Sequence, residues 1–141
     1  MRTVLQRADG ASVHVDGERV GGFTGPGLVA LVGVTHEDGP EQVERTARKI
    51  AELRILREER SVLDDGAPVL VISQFTLHAD VRKGRRPSWN GAAPAEVAEP
   101  VVDAVVAALR ERGVRVETGR FGADMRVSLV NDGPVTIVLD V

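Results

Sequence analysis

Apolar and polar residues alternate with a period of two over several short segments near the start of the chain. That period is typical of half-buried β-strands, whose successive side chains point to opposite faces of a sheet. Residues 16–17 and 25–27 are turn signals, because glycine supplies a positive φ and proline presets its own. The pattern predicts an antiparallel meander with strands at residues 3–7, 11–15, 19–23 and 28–34.

A helical period replaces the alternation after residue 37. Asp38 followed three residues later by Glu41 resembles a capping box, and Val43, Ala47 and Ile50 recur on one stripe. These features predict a helix over about residues 40–57.

A second apolar stripe at helical spacing lies between Val97 and Leu109, with Gly113 as a stop signal. Pro100 lacks a backbone donor and crowds the preceding turn, so the helix either kinks there or begins near Glu99. We expect the kink.

Four further segments are predicted to be strands, at residues 68–77, 114–118, 125–130 and 135–141. About eight strands and two main helices, with the helices segregated, favour an α+β fold with a mostly antiparallel sheet or open barrel. They argue against a doubly wound nucleotide fold. A length of 141 residues is typical of one domain, so we expect residues 1–141 to form a single domain.

Composition limits the catalytic groups and the partners that the chain can use. The absence of cysteine excludes thiol nucleophiles and thiolate metal sites, and no close pair exists among His14, His36 and His78. We therefore expect no metal and no cofactor. No apolar run approaches about 18 residues, so the sequence predicts a soluble, cytoplasmic protein without a membrane partner. A net charge of −3 means that any contact with nucleic acid must be local.

Polar residues interrupt the apolar segment 68–72 at Ser73-Gln74-Phe75-Thr76-Leu77. In a regular strand the side chains of Gln74 and Thr76 would share one face and could enter one pocket. The alternative is a strand that simply reaches the surface. A catalytic triad is disfavoured, because Ser73 lacks the G-x-S-x-G turn and His78 would point from the opposite face.

Three further segments allow both a structural and a functional interpretation. Asn131-Asp132-Gly133-Pro134 is typical of a tight hairpin connection, although a cis Gly133-Pro134 bond would hold two successive carbonyls in one direction. Phe121 and Met125, among small residues, fit core packing or a pocket floor. A basic run beside Trp89 is either solvated surface or an RNA contact, and its cations are Arg82, Lys83, Arg85 and Arg86.

Taken together, residues 73–77 and 131–136 resemble the two signature motifs of the bacterial-type D-aminoacyl-tRNA deacylases, the family also known for D-tyrosyl-tRNA deacylases. The resemblance covers nearly the whole chain, since the segments 5–7, 11–13, 86–88 and 119–121 also stand in the expected order. It implies a hydrolase of carboxylic esters that releases a D-amino acid, or glycine mischarged on tRNA-Ala, from tRNA.

The resemblance also implies a homodimer with active sites at the subunit interface and aminoacyl-tRNA, not DNA, as partner. Gly133 and Pro134, joined by a cis bond, would enter the other subunit's pocket and reject L-amino acids. No side-chain nucleophile is implied, because the ribose 2′-hydroxyl would assist water. The residues that would line the ester site are Ser73, Gln74, Phe75 and Thr76, those bordering the terminal adenine are Phe121 and Met125, and those contacting tRNA are Arg82, Lys83, Arg85 and Arg86.

Two other functions remain open at this point. A non-catalytic RNA-binding module would use the same basic run and would bind tRNA without hydrolysis. A small-molecule esterase would turn over simple esters without RNA.

Overall fold

The computed structural model describes residues 1–141 as one five-stranded sheet with helices against it. Two 3₁₀ turns, Arg57–Glu59 and Phe75–His78, complete the regular structure. No helix is both long and apolar enough to cross a membrane. In chain order the strands and helices are β1 Arg2–Val15, β2 Glu18–Gly33, α1 Pro40–Glu52, α2 Val62–Asp65, β3 Val69–Ser73, α3 Ala95–Glu111, β4 Val116–Thr118 and β5 Arg126–Asp140.

The strand order in the sheet is β4-β3-β2-β1-β5. The three long strands pair antiparallel, whereas β3 pairs parallel to β2 and to β4. The strands β4 and β5 form the two edges, so the sheet is open. The predicted α+β class with a mostly antiparallel open sheet is confirmed, and the parallel pairing of β3 is an addition that the pattern did not indicate.

Long, irregular strands replace most of the predicted short ones. The ladder of β1 shifts register between Asp9 and Ala11, with Gly10 at φ +83°, so one bulged strand covers two predicted segments. The predicted turn at residues 25–27 is wrong, because β2 continues there and Pro26 pairs with Asp9. The turn at residues 16–17 is confirmed.

The segment predicted as a hairpin connection, residues 131–134, lies inside β5 instead. Gln6 pairs with Thr136 and Ala8 pairs with Asn131, so a single β1 residue stands opposite residues 132–135. The extra residues must bulge out of the ladder. We call residues 132–135 the β5 bulge.

The first helix begins at Pro40, as predicted, but ends at Glu52, about one turn earlier than predicted. The Gln42 side chain, and not that of Glu41, accepts a hydrogen bond from the Gly39 N–H at 3.0 Å. Asp38 instead accepts a hydrogen bond from the amino-terminal ammonium group at 2.6 Å. The helix ends at Glu52 because Leu53 turns to extended backbone and packs with Ile55 against the core.

The second predicted helix is α3, which begins at Ala95, directly after Pro94, and not near Glu99. It continues through Pro100, which is exposed, so water can satisfy the carbonyl that the missing proline N–H leaves unpaired. Helices α1 and α3 pack side by side.

Alternating residues of the sheet divide the core in two. The larger cluster joins α1 and α3 to one face of the sheet and includes Leu5, Leu28, Ile50, Val105 and Leu109. The smaller cluster lies on the other face and includes Val13, Phe23, Val29, Leu70 and Ile72. The edge strand β5 leaves the apolar side chains of Leu129, Val130 and Val138 exposed.

Candidate active site

A cavity of about 470 Å³ opens where β3 ends, next to the start of α3 and the loop before β5. Its lining is mostly apolar, with few polar groups, as is usual for small-molecule sites. The residues that line it include Ser73, Gln74 and Phe75 from the end of β3, Ala95, Ala98 and Val102 from α3, and Phe121, Gly122, Ala123, Asp124 and Met125 from the loop.

The wall formed by Ser73 and the residues after it is a change of backbone direction and not a continuing strand. Strand β3 ends at Ser73, Gln74 adopts φ −145° and ψ 77°, and the chain then enters the 3₁₀ turn Phe75–His78. The prediction that a regular strand places Gln74 and Thr76 on one face is therefore wrong. Thr76 does not line the cavity; its Oγ1 instead accepts a hydrogen bond from Gln74 Nε2 at 2.5 Å.

The 3₁₀ turn that starts at this wall with Phe75 also carries backbone amides. The first N–H groups of a helical turn have no acceptor inside it, which leaves the Phe75 and Thr76 amides without a partner within their turn. Such amides can bind an anion or a developing oxyanion. No histidine lines the cavity, and its only carboxylate is Asp124.

The loop before β5 contributes Phe121 and Met125 to the lining, with small residues between them. Behind Met125 lies Gly119, where an added Cβ would overlap the Met125 Sδ and stand 3.0 Å from Ile72 Cδ1. The methionine therefore lies directly against the glycine backbone, which keeps the cavity wide.

The Gly133-Pro134 bond is cis, as predicted, and lies in the β5 bulge. Neither residue lines the cavity of its own chain. Arg7 holds the bulge through its backbone: Nε donates to the Asp132 carbonyl at 3.0 Å and Nη2 to the Gly133 carbonyl at 3.0 Å. Gln6 adds a bond from Nε2 to the Val135 carbonyl at 3.0 Å.

Two arginines hold the side chain of Asp132, the first residue of the β5 bulge. Arg57 donates to both carboxylate oxygens, and Arg7 Nε lies 3.3 Å from Asp132 Oδ2. The hydrogen bond from Arg57, aided by the positive charges of both arginines, lowers the pKa of Asp132. The carboxylate is therefore ionised at neutral pH.

The basic run forms an exposed loop closed by two backbone hydrogen bonds between Asp80 and Ser88, at 2.8 and 3.0 Å. Arg82 is already paired, since its guanidinium donates to the Asp80 carboxylate at 2.6 and 2.9 Å. The three cations of this loop that form no salt bridge are Lys83, Arg85 and Arg86.

No local sequence pattern indicates the roles of Arg7, Gln6 and Arg57. Arg7 is polar within an alternating strand and almost fully buried, yet nothing local indicates that its partners are carbonyls 125 and 126 residues away. His78 is adjacent to the cavity wall, and its Nε2 is buried without a hydrogen-bond partner. No group of three or more histidine, aspartate or glutamate side chains is arranged to hold a metal ion.

Comparisons with known proteins define the class to which this fold and cavity belong. The family model for D-Tyr-tRNA(Tyr) deacylase matches residues 4–140. The chain is 67% identical over 140 residues to a D-aminoacyl-tRNA deacylase of Kineococcus radiotolerans and 69% identical over 140 residues to one of Beutenbergia cavernae. Each alignment covers 99% of both chains.

Solved structures give the same fold. One titled "c-Myc DNA Unwinding Element Binding Protein" superposes with a TM-score of 0.91 at 38% identity, covering 100% of this chain and 99% of that one. A probable eukaryotic D-amino acid tRNA deacylase superposes with a TM-score of 0.84 at 18% identity, over 99% and 98% of the chains, which shows the fold alone. This chain belongs to the D-aminoacyl-tRNA deacylase family and is a hydrolase of the ester bond in D-aminoacyl-tRNA.

Proposed function

We propose that this chain is a cytoplasmic, homodimeric proofreading enzyme that removes D-amino acids from tRNA, and glycine mischarged on tRNA-Ala. The observation that carries the proposal is a cavity lined by Ser73 and Phe75 at the end of β3 and by Phe121 and Met125 from the loop before β5. The ester lies against the end of β3 and the terminal adenine lies against that loop.

The Gly133-Pro134 segment is proposed to act on the cavity of a second subunit. Neither residue lines the cavity of its own subunit. Arg7 nevertheless holds the bulge that carries them in a fixed position. The exposed apolar side chains of Leu129 and Val130 on β5 offer a surface for the second subunit. A dimer with active sites at the interface brings bulge and cavity together.

The enzyme then selects the D configuration by excluding L-amino acids. The carbonyls of the bulge receive the amino group of the substrate, and the same segment clashes with the side chain of an L-amino acid. A D side chain points elsewhere, and glycine has only hydrogen at that position. Rejection by a fixed obstacle needs no contact specific to one amino acid, so many D-amino acids are accepted.

For the chemistry, we propose that the backbone amides of Phe75 and Thr76 stabilise the tetrahedral oxyanion while water attacks the ester carbonyl. No histidine lines the cavity beside Ser73, so no activated serine is proposed. The ribose 2′-hydroxyl of the substrate assists the attacking water. The tRNA is held by Arg82, Lys83, Arg85 and Arg86, whose loop is fully exposed.

The deciding experiment compares deacylation of D-, L- and glycyl-tRNA, and then of D-aminoacyl-tRNA ending in 2′-deoxyadenosine. Loss of the 2′-hydroxyl is expected to slow cleavage about 10²–10⁴-fold, the usual contribution of general acid–base help. The variants Ser73→Ala, Thr76→Ala and Asp124→Asn are expected to keep substantial activity. Rapid cleavage of the deoxy substrate, or complete inactivity of one folded variant, would reinstate a protein group as nucleophile or base.

Two further measurements test the partners. Replacing all four loop cations with alanine is expected to weaken tRNA binding and reduce its salt dependence, because each phosphate contact releases counterions. Sedimentation or light scattering is expected to give the mass of a dimer. Turnover of simple esters at rates that match tRNA would instead favour a small-molecule esterase.

A further inference from the structure

Two large aromatic side chains are exposed at the mouth of the cavity. The Phe75 side chain is 55% exposed and that of Trp89 is 42% exposed, although such residues are normally largely buried. Their rings meet edge to face, with centroids 5.7 Å apart and an interplanar angle of 74°. Phe75 also lines the cavity, so the pair forms a continuous apolar surface from the cavity to the solvent.

The backbone that carries Trp89 is tied down on both sides. The Asp80–Ser88 hydrogen bonds close the loop before it, and its own carbonyl accepts from the Ala92 N–H at 2.9 Å. The next N–H, that of Ala93, donates to the Val34 carbonyl at 2.9 Å. This bond attaches the Trp89 segment to the residue that directly follows β2. The backbone position of Trp89 is therefore fixed by the fold.

The charge around this surface favours a polyanion. Lys83, Arg85 and Arg86 lie within six positions of Trp89 and form no salt bridge. The chain as a whole carries a net charge of −3, so this is a local concentration of positive charge. Aromatic rings beside unpaired cations are how proteins hold single-stranded nucleic acid without reading its sequence.

We propose that Phe75 and Trp89 form a stacking platform for the unpaired nucleotide that precedes the terminal adenosine of the substrate tRNA. The phosphates of that single-stranded end meet Lys83, Arg85 and Arg86. This inference rests on the proposed function, in which the terminal adenosine occupies the cavity. Because stacking tolerates every base, the platform serves tRNAs of different identity.

Two substrates, one with and one without the preceding nucleotide, distinguish the platform from the cavity. Trp89→Ala is expected to lower kcat/KM on D-aminoacyl-tRNA about 5- to 100-fold, mainly through KM, because one base loses its stacking partner. The same variant should change kcat/KM by less than about twofold on D-aminoacyl-adenosine, which lacks the preceding nucleotide. Trp89→Phe is expected to restore most of the activity on tRNA. Leu63→Ala, at another exposed apolar residue, is the matched control and should change neither substrate.

Trp89 is the only tryptophan in the chain, so its fluorescence reports the contact directly. A non-hydrolysable trinucleotide, with an amide in place of the ester, is expected to quench the emission. The same analogue reduced to its terminal adenosine should bind with little quenching.

Three outcomes would overturn the platform. One is unchanged kcat/KM of Trp89→Ala on tRNA, another is an equal loss on tRNA and on the adenosine ester, and the third is conversion of Trp89→Ala to a monomer. The last would assign the aromatic pair to contact between copies of the chain. Failure of the proposed function has a different signature, because the wild-type protein would then not distinguish D- from L-aminoacyl-tRNA.

Discussion

Replacing Arg7 with methionine is the sharpest test of how the β5 bulge is held. Methionine keeps much of the volume of this nearly buried side chain and removes its donors. Two charged N–H groups at 3.0 Å from the Asp132 and Gly133 carbonyls are lost, together with a longer bond of 3.4 Å to Ile55. The bulge then has only the Gln6 side chain to fix its backbone.

The magnitude follows from these contacts. Hydrogen bonds from a charged donor contribute about 1.5–3 kcal/mol each, which gives about 3–6 kcal/mol for the two short bonds. Gly133 is exposed, so water can replace part of what its carbonyl loses. We therefore expect Arg7→Met to lower the free energy of unfolding by about 2–3 kcal/mol. A bulge free to move should also admit L-amino acids, so the ratio of kcat/KM for D- over L-aminoacyl-tRNA falls by at least about tenfold.

The assay combines urea unfolding at pH 7 with deacylation of D-, L- and glycyl-tRNA. Arg57→Met is the matched control, since Arg57 is mostly exposed and contacts only the carboxylate of Asp132, not the bulge backbone. It should lose less stability and keep most of the chiral selectivity. If Arg7→Met retains both the stability and the selectivity of the wild type, the arginine does not hold the bulge.

Three other changes test other parts of the structure. Asp132→Asn should make the free energy of unfolding depend less on pH in acid. The pKa of Asp132 is lowered in the folded protein, so the carboxylate contributes its full stability above the ordinary pKa of 3.8, and this contribution is lost as the pH falls below that value. Urea unfolding at pH 7 and at pH 3 will measure the difference. Gly119→Ala should push Met125 into the cavity and raise KM several-fold, while the stability falls by less than about 3 kcal/mol; an unchanged KM would contradict that role. Gly21→Ala would place a Cβ against the Thr118 carbonyl oxygen, which is backbone and cannot rotate away, so thermal unfolding should reveal a loss of about 3 kcal/mol.

Much of this protein is determined by local sequence. The alternation of residues 3–7 and 11–15 specifies strands whose inward side chains include Leu5 and Val13, and the helical stripe around Ile50 specifies α1. Hydrophobic periodicity predicts these elements because apolar residues recur on the side of a strand or helix that is buried. The two motifs around Ser73 and Gly133 likewise carry enough specific residues to indicate the family from sequence alone.

Tertiary structure decided the rest. The end of β3 at Ser73, the merging of short segments into long bulged strands and the position of the β5 bulge depend on which strand lies alongside. The partners of Arg7 are carbonyls, which every residue possesses, so no side-chain pattern marks them. Asp38 similarly binds the amino terminus and does not cap α1. Local patterns fix what each segment buries, whereas pairing between distant segments fixes where backbone groups meet, and that pairing leaves no periodic trace in the sequence.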